Sequence, residues 1–136
     1  TWLDWPGADA ELIDFVGRCF ALRAELPLLR HARWFSGPGA GQAHVHWLRA
    51  DGGEMQASDW QVGGEGAFAC ALHAGPMPCE RLLLCFNPEG EARRFALPAG
   101  GWELLFDSSA CSRAGGGTVD VAGHSLVLLR GIDAKN

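Results

Sequence analysis

Two hydrophobic rhythms share this chain, and the switch between them constrains its fold more than any other feature. From Asp9 to Leu26, apolar residues recur at Leu12, Phe15, Val16, Cys19, Leu22 and Leu26. That is the i, i+3, i+4 spacing of one face of an α-helix. Asp9 suits an N-cap, Glu11 and Asp14 place negative charge near the positive end of the helix dipole, and Pro27 stops the run. Ile13 and Phe20 widen the apolar stripe beyond one contact surface, so the helix is expected to pack against a partner domain as well. Gly17 in its interior costs about 1 kcal/mol relative to Ala. Leu28 to Gly41 reads as a linker, with Trp34-Phe35 as an anchor and Ser36-Gly-Pro-Gly-Ala-Gly41 as a turn region.

Beyond the linker the period becomes two. Ala43 to Arg49 reads as a strand with His44, His46 and Leu48 on one face and Val45 and Trp47 on the other. Phe68–Leu72, Arg81–Phe86, Ala92–Leu97, Trp102–Phe106, Thr118–Val121 and Ser125–Leu129 follow. Arg81–Phe86 is apolar on both faces, as a central covered strand requires. In Trp102–Phe106, alternation sets Trp102, Leu104 and Phe106 against Glu103, Leu105 and Asp107. Asn87-Pro88-Glu89-Gly90 is a turn, and Gly115-Gly-Gly117 after Arg113 is a loop. Turn signals at intervals of about 10 residues predict an all-β fold, an antiparallel β-sandwich of about seven strands, preceded by one N-terminal α-helix. No βαβ alternation is present, so a doubly wound nucleotide-binding sheet is excluded.

Composition narrows the partners. Of 136 residues, 48% are hydrophobic and 20% charged, a globular balance rather than a disordered one. The formal charge is −5 and Lys135 is the sole lysine. Nucleic acid and anionic membrane both need clustered Lys and Arg, so neither is expected as a partner. No apolar run approaches the roughly 20 residues of a membrane span, and no signal peptide opens the chain. The five cysteines, an odd number with no C-x-x-C pair, read as small buried thiols of a reducing cytoplasm.

Candidate chemistry is sparse. His44 and His46 project from one side of a strand, as two metal ligands often do, but no spacing brings in a third ligand. No metal and no cofactor are therefore expected. Glycoside hydrolysis needs two carboxylates about 5 to 10 Å apart, one with a raised pKa. Asp4, Asp51, Glu54 and Asp59, all near tryptophans, are the best of the sixteen acids, yet turns and helix exteriors account for most of them. Neither a Gly-x-Ser-x-Gly elbow nor a phosphate-binding Gly-x-x-x-x-Gly-Lys loop occurs. No catalytic residue is assigned. Six Trp and no Tyr supply flat indoles that can stack on sugar rings while donating an N–H. Trp34, Trp47, Trp60 and Trp102 are the candidates for such a platform, with packing as the alternative for Trp47 and Trp102. Trp2, Asp4, Trp5 and Trp60 are the residues expected to contact carbohydrate or a neighbouring domain.

The run Leu48-Arg-Ala-Asp-Gly-Gly-Glu-Met-Gln-Ala-Ser-Asp-Trp60 resembles a segment near the C-terminus of bacterial glycogen debranching enzymes, the isoamylase-like branch of the α-amylase superfamily. Trp2-Leu-Asp-Trp5 resembles the segment after the last strand of their catalytic barrel, and Ala21-Leu-Arg-Ala-Glu-Leu-Pro-Leu-Leu29 their last barrel helix. Leu82-Leu-Leu-Cys-Phe-Asn87, Leu97-Pro98 with Trp102-Glu103-Leu104, and Ser125-Leu-Val-Leu-Leu129 follow in the family's order. Ala50 departs from the pattern, where the family has Pro. The resemblance implies residues 1–36 as the last barrel helix and linker, and residues 37–136 as a C-terminal β-sandwich of the α-amylase type. The start at Thr1 rather than Met agrees with a piece of something longer. The resemblance also implies a parent that cleaves α-1,6 branch linkages with a carboxylate nucleophile and an acid/base Glu, both upstream of this chain. The implied partners are the upstream barrel and, through the parent, α-glucan. A free-standing carbohydrate-binding module is the other reading. Stripped of the barrel, the fragment is expected to self-associate through Trp2, Trp5 and the helix.

Overall fold

A computed structural model describes residues 5, 7–32, 35, 43–61, 66–74 and 79–132. The chain divides into two compact units, residues 1–33 and 34–136. The first contains α1 (Ala10–Glu25) and a 3-10 turn (Pro27–Arg30). Asp9 caps α1: its Oδ1 accepts from the Leu12 N–H at 3.0 Å. At the other end the Leu26 N–H bonds the Leu22 carbonyl before Pro27 breaks the ladder. These caps are the ones the sequence predicts. The burial is not. No residue of α1 is buried. Leu12, Ile13, Val16 and Phe20 are 40 to 68% exposed, while Phe15, Cys19 and Leu22 are half-buried.

The second unit is a β-sandwich. Its strands are β1 (Ala43–Arg49), β2 (Phe68–Ala74), β3 (Arg81–Asn87), β4 (Arg93–Ala96), β5 (Gly101–Asp107), β6 (Arg113–Gly115), β7 (Thr118–Val121) and β8 (Ser125–Ile132). One sheet runs β1-β2-β3-β8-β5 and the other β4-β7-β6, with every pairing antiparallel. β3 is central, between β2 and β8, as its doubly apolar run predicts. Leu83, Cys85, Val127 and Leu129 from the large sheet meet Phe95, Val119 and Val121 from the small one in a single core. Burial drives the Cys85 thiol up to about 12 and that of Cys70 to about 11, so both behave as small hydrophobes. Cys111, by contrast, is exposed.

Two details differ from the sequence reading. Arg113–Gly115, not among the predicted strands and ending in the glycine run read as loop, pairs with β7 as an eighth, exposed edge strand. The connecting Gly116 and Gly117 have φ of 59° and 78°, the two positive values that a tight primed hairpin turn needs. A three-residue Arg-Ala-Gly strand is too short to show hydrophobic alternation, so nothing in the pattern marks it. In β5, a register shift between Leu104 and Phe106 breaks the predicted alternation. Leu104 pairs with Leu129 on the core face, whereas Phe106 pairs with Leu128 on the opposite one. A bulge adds one residue and so moves every later side chain across the sheet.

Candidate functional site

The β1–β2 connection is built around Arg49. Its Nε and Nη2 donate to the Asp51 carboxylate at 3.2 Å each, and Nη1 donates to the Glu54 carbonyl at 3.4 Å. Nη1 also lies 3.7 Å from Asp59. Asp59 accepts the Gln56 N–H at 2.8 Å and Asp51 the Gly53 N–H at 2.9 Å. A side chain at Gly53 would run into the Arg49 guanidinium, and Gly52 sits at φ 87°. The Met55 N–H returns to the Trp47 carbonyl, and the Ala96 N–H ties the loop to β4 through Ala50. The Arg-x-Asp-Gly-Gly-Glu-Met pattern thus encodes a self-braced loop in which Arg49 gathers Asp51, Asp59 and the Glu54 carbonyl. The Gly53 amide and then Arg49 hold the Asp51 carboxyl below its ordinary range, the opposite of what a general acid requires.

That loop delivers Trp60, 53% exposed, edge-on to Trp47 at 5.5 Å. Both rings lie 5.9 Å from Phe68, which stacks on Phe86 at 4.8 Å. Trp60 therefore begins a strip of rings across one face of the large sheet. Phe68 and Phe86 do not stand out in the sequence, because a phenylalanine in an apolar strand reads as core. Register is the signal: Phe68 pairs with Phe86, on the face opposite Cys85. Trp102 does not join this strip. Its Nε1 donates to the Pro98 carbonyl at 2.8 Å, and Arg81 lies 5.2 Å above its ring. Trp5 is exposed; Trp2, Asp4 and Trp34 lie outside the described residues.

The strip ends in an open cleft of about 490 Å³ lined by Phe68, Phe86, Pro88, Ser108, His124 and Leu126. Two turns meet there. Asn87, fully buried, donates through Nδ2 to the carbonyls of Glu91, Val121 and Ala122 at 2.9 to 3.1 Å, and its Oδ1 accepts from the Glu89 N–H. Gly123 packs so close to the Gly90 carbonyl that a Cβ would overlap it. His124 is held at φ 51°, its N–H bonded to Glu89 and its Nδ1 3.0 Å from the Pro88 carbonyl.

The two strand histidines gain His73 as a neighbour, its ring 4.8 Å from His44 and 5.5 Å from His46. Among the described residues, no group of His, Cys, Asp or Glu is arranged to hold a metal ion. Partial burial, then the two neighbouring imidazoles, lower the His73 pKa. Between the ordinary value of about 6.5 and the lower folded one, the unfolded chain binds more protons, so stability falls as pH drops through that window. Thermal melts at pH about 7.5 and about 5.5 should show this loss, reduced in His73→Gln. Identical slopes in both proteins would remove His73 as the cause.

No protein-family model matches the chain. It is 32% identical over 130 residues to a glycogen debranching enzyme of Serratia proteamaculans, a match covering 95% of this chain and 18% of that protein. It is 29% identical over 103 residues to that of Yersinia pseudotuberculosis, covering 76% of this chain and 14% of that protein. The expected kinship with bacterial glycogen debranching enzymes is therefore met, and the chain spans less than a fifth of the length of these relatives.

Proposed function

We propose that this chain, homologous over nearly its whole length to a section of the glycogen debranching enzymes, serves as a non-catalytic C-terminal accessory part of such a glycoside hydrolase. Residues 1–36 are the last helix and linker of the parent's catalytic barrel, and residues 37–136 are the C-terminal sandwich. The parent, of the isoamylase-like branch of the α-amylase superfamily, hydrolyses α-1,6 branch linkages of glycogen in the cytoplasm. The nucleophile and acid/base reside upstream, and this part stabilises the barrel and shapes the branched-substrate cleft. No helix among the described residues is long and apolar enough to cross a membrane.

The observation that carries this reading is α1. A well-capped amphipathic helix in a globular protein buries its apolar stripe, yet no residue of α1 is fully buried and four large apolar side chains stay exposed. Leu12, Ile13, Val16 and Phe20 form the face that the upstream barrel covers. Gly17 borders open space: a methyl group added there would meet nothing within 4 Å, which leaves room for a second backbone. The loop acids support the reading too, since Arg49 engages Asp51 and Asp59 rather than leaving them as a catalytic pair.

The test is the size of the gene product in source cells, by immunoblot with antibody against this chain. A band several times larger than 14.5 kDa is expected. A band at 14.5 kDa would refute the accessory role and favour the free-standing carbohydrate-binding module. The isolated chain is also expected to self-associate through the α1 face, with Phe20→Asp returning it to monomer in light scattering.

A further inference from the structure

The cleft between the Pro88–Gly90 turn and the β7–β8 turn has no role in the reading above. Among the described residues, its lining carries no Asp, Glu, Lys or Arg, so none of them offers a fixed charge to an ionic ligand. Its floor is two half-buried phenyl rings, and its walls offer directed polar groups. The Leu126 N–H donates to Ser108 Oγ at 2.9 Å, which leaves the hydroxyl its own proton to donate. His124 Nδ1 lies 3.0 Å from the Pro88 carbonyl, an acceptor, a contact made by the tautomer with its proton on Nδ1, in which Nε2 is the acceptor. His124 is one of two non-glycine described residues with positive φ, a conformation that costs free energy and recurs at ligand clamps. Here it is fixed by two bonds to the neighbouring turn. An apolar floor, one hydroxyl donor and one imidazole acceptor match a neutral ligand with apolar faces and a hydroxyl rim, which describes a sugar ring. The strip from Trp60 through Phe68 to Phe86 continues the floor out of the cleft, which suits a chain of such rings rather than one.

We infer that this cleft and its aromatic strip bind a linear stretch of α-linked glucan, with Phe68 and Phe86 stacking on the glucosyl rings and His124 and Ser108 bonding their hydroxyls. The choice of α-linkage rests on the glycogen-acting parent proposed above; the cleft itself does not. The site holds a neighbouring chain of the polymer, outside the catalytic barrel.

The experiment is an amide chemical-shift titration of the 136-residue chain with maltoheptaose and, separately, β-linked cellohexaose. Saturable shifts at Phe68, Phe86, Ser108 and His124 with maltoheptaose, and markedly weaker ones with cellohexaose, are expected. His124→Gly removes the imidazole while relieving the left-handed backbone, so it should keep the fold and bind about tenfold more weakly. Phe86→Ala should do the same if it remains folded. Absence of shifts at millimolar maltoheptaose, unchanged affinity in His124→Gly, or equal binding of cellohexaose overturns the inference. The two ideas fail separately. A large parent band with no sugar binding sinks the cleft alone, whereas sugar binding by a gene product of this chain's own size sinks the accessory role alone.

Discussion

Replacing Asn87 is expected to destabilise the sandwich more than any other polar substitution. Asn87→Ala removes one buried amide that serves three carbonyls and one N–H. Each buried group left without its partner costs about 1 to 3 kcal/mol, and partial rescue by water reduces the sum. A loss of about 3 kcal/mol follows, or roughly 10 °C in melting temperature for a domain of this size. Asn87→Asp separates shape from chemistry. It keeps the volume but turns the donor into an anion facing the carbonyls of Glu91, Val121 and Ala122. It should be worse than Ala at neutral pH and recover toward acid, where the carboxyl gains a proton and can donate again. The sign is that of a carboxylate whose folded pKa is raised, with stability lost as pH rises. Urea melts at two pH values measure it, and losses within about 0.5 kcal/mol for both variants would show that the two turns do not depend on this staple.

Phe95→Ala should cost a similar or larger amount, about 3 to 5 kcal/mol, because it empties the largest fully buried side chain among the described residues. Its position makes the result informative. The small sheet contributes Phe95, Val119 and Val121 to the core opposite Leu83, Cys85, Val127 and Leu129. The remaining grip of this sheet includes the Arg94–Asp120 pair, bidentate at 2.7 and 3.0 Å but exposed, and such pairs contribute under about 1 kcal/mol. Hydrogen exchange should show protection lost throughout β4, β6 and β7 and on the core face of β3 and β8. A loss below about 1 kcal/mol, with β6 and β7 still protected, would mean that the small sheet is held by something other than this core.

Legibility in the sequence followed the physics of each element. The helix limits were readable because capping is local: Asp9 and Pro27 act on residues within four positions. Ala43–Arg49 and Thr118–Val121 were readable to the residue because half-buried strands alternate. β6 was not, since a three-residue exposed hairpin edge has no large apolar side chain to alternate, and neither was the β5 bulge, which leaves each residue unremarkable and changes only the count. Of the residues expected as contacts, Trp60 lies on a surface strip, but its neighbours Phe68 and Phe86 were invisible to a search for tryptophans. The motif from Leu48 to Trp60 was legible as a family mark. Its purpose as an Arg49-centred brace became apparent only from the hydrogen bonds.

By itself, the sequence determined the class of the fold, one capped helix followed by an antiparallel sandwich, along with the kinship to debranching enzymes. Those properties live in spacing and local chemistry, which a linear string preserves. Only the tertiary structure decided which apolar residues are buried, that Asn87 joins two turns 34 residues apart, and that His124 and Ser108 face two phenyl rings across one cleft. Each of these depends on contacts between segments far apart in the chain. Strand order and register set those contacts, and strand order is a choice among topologies that alternate equally well.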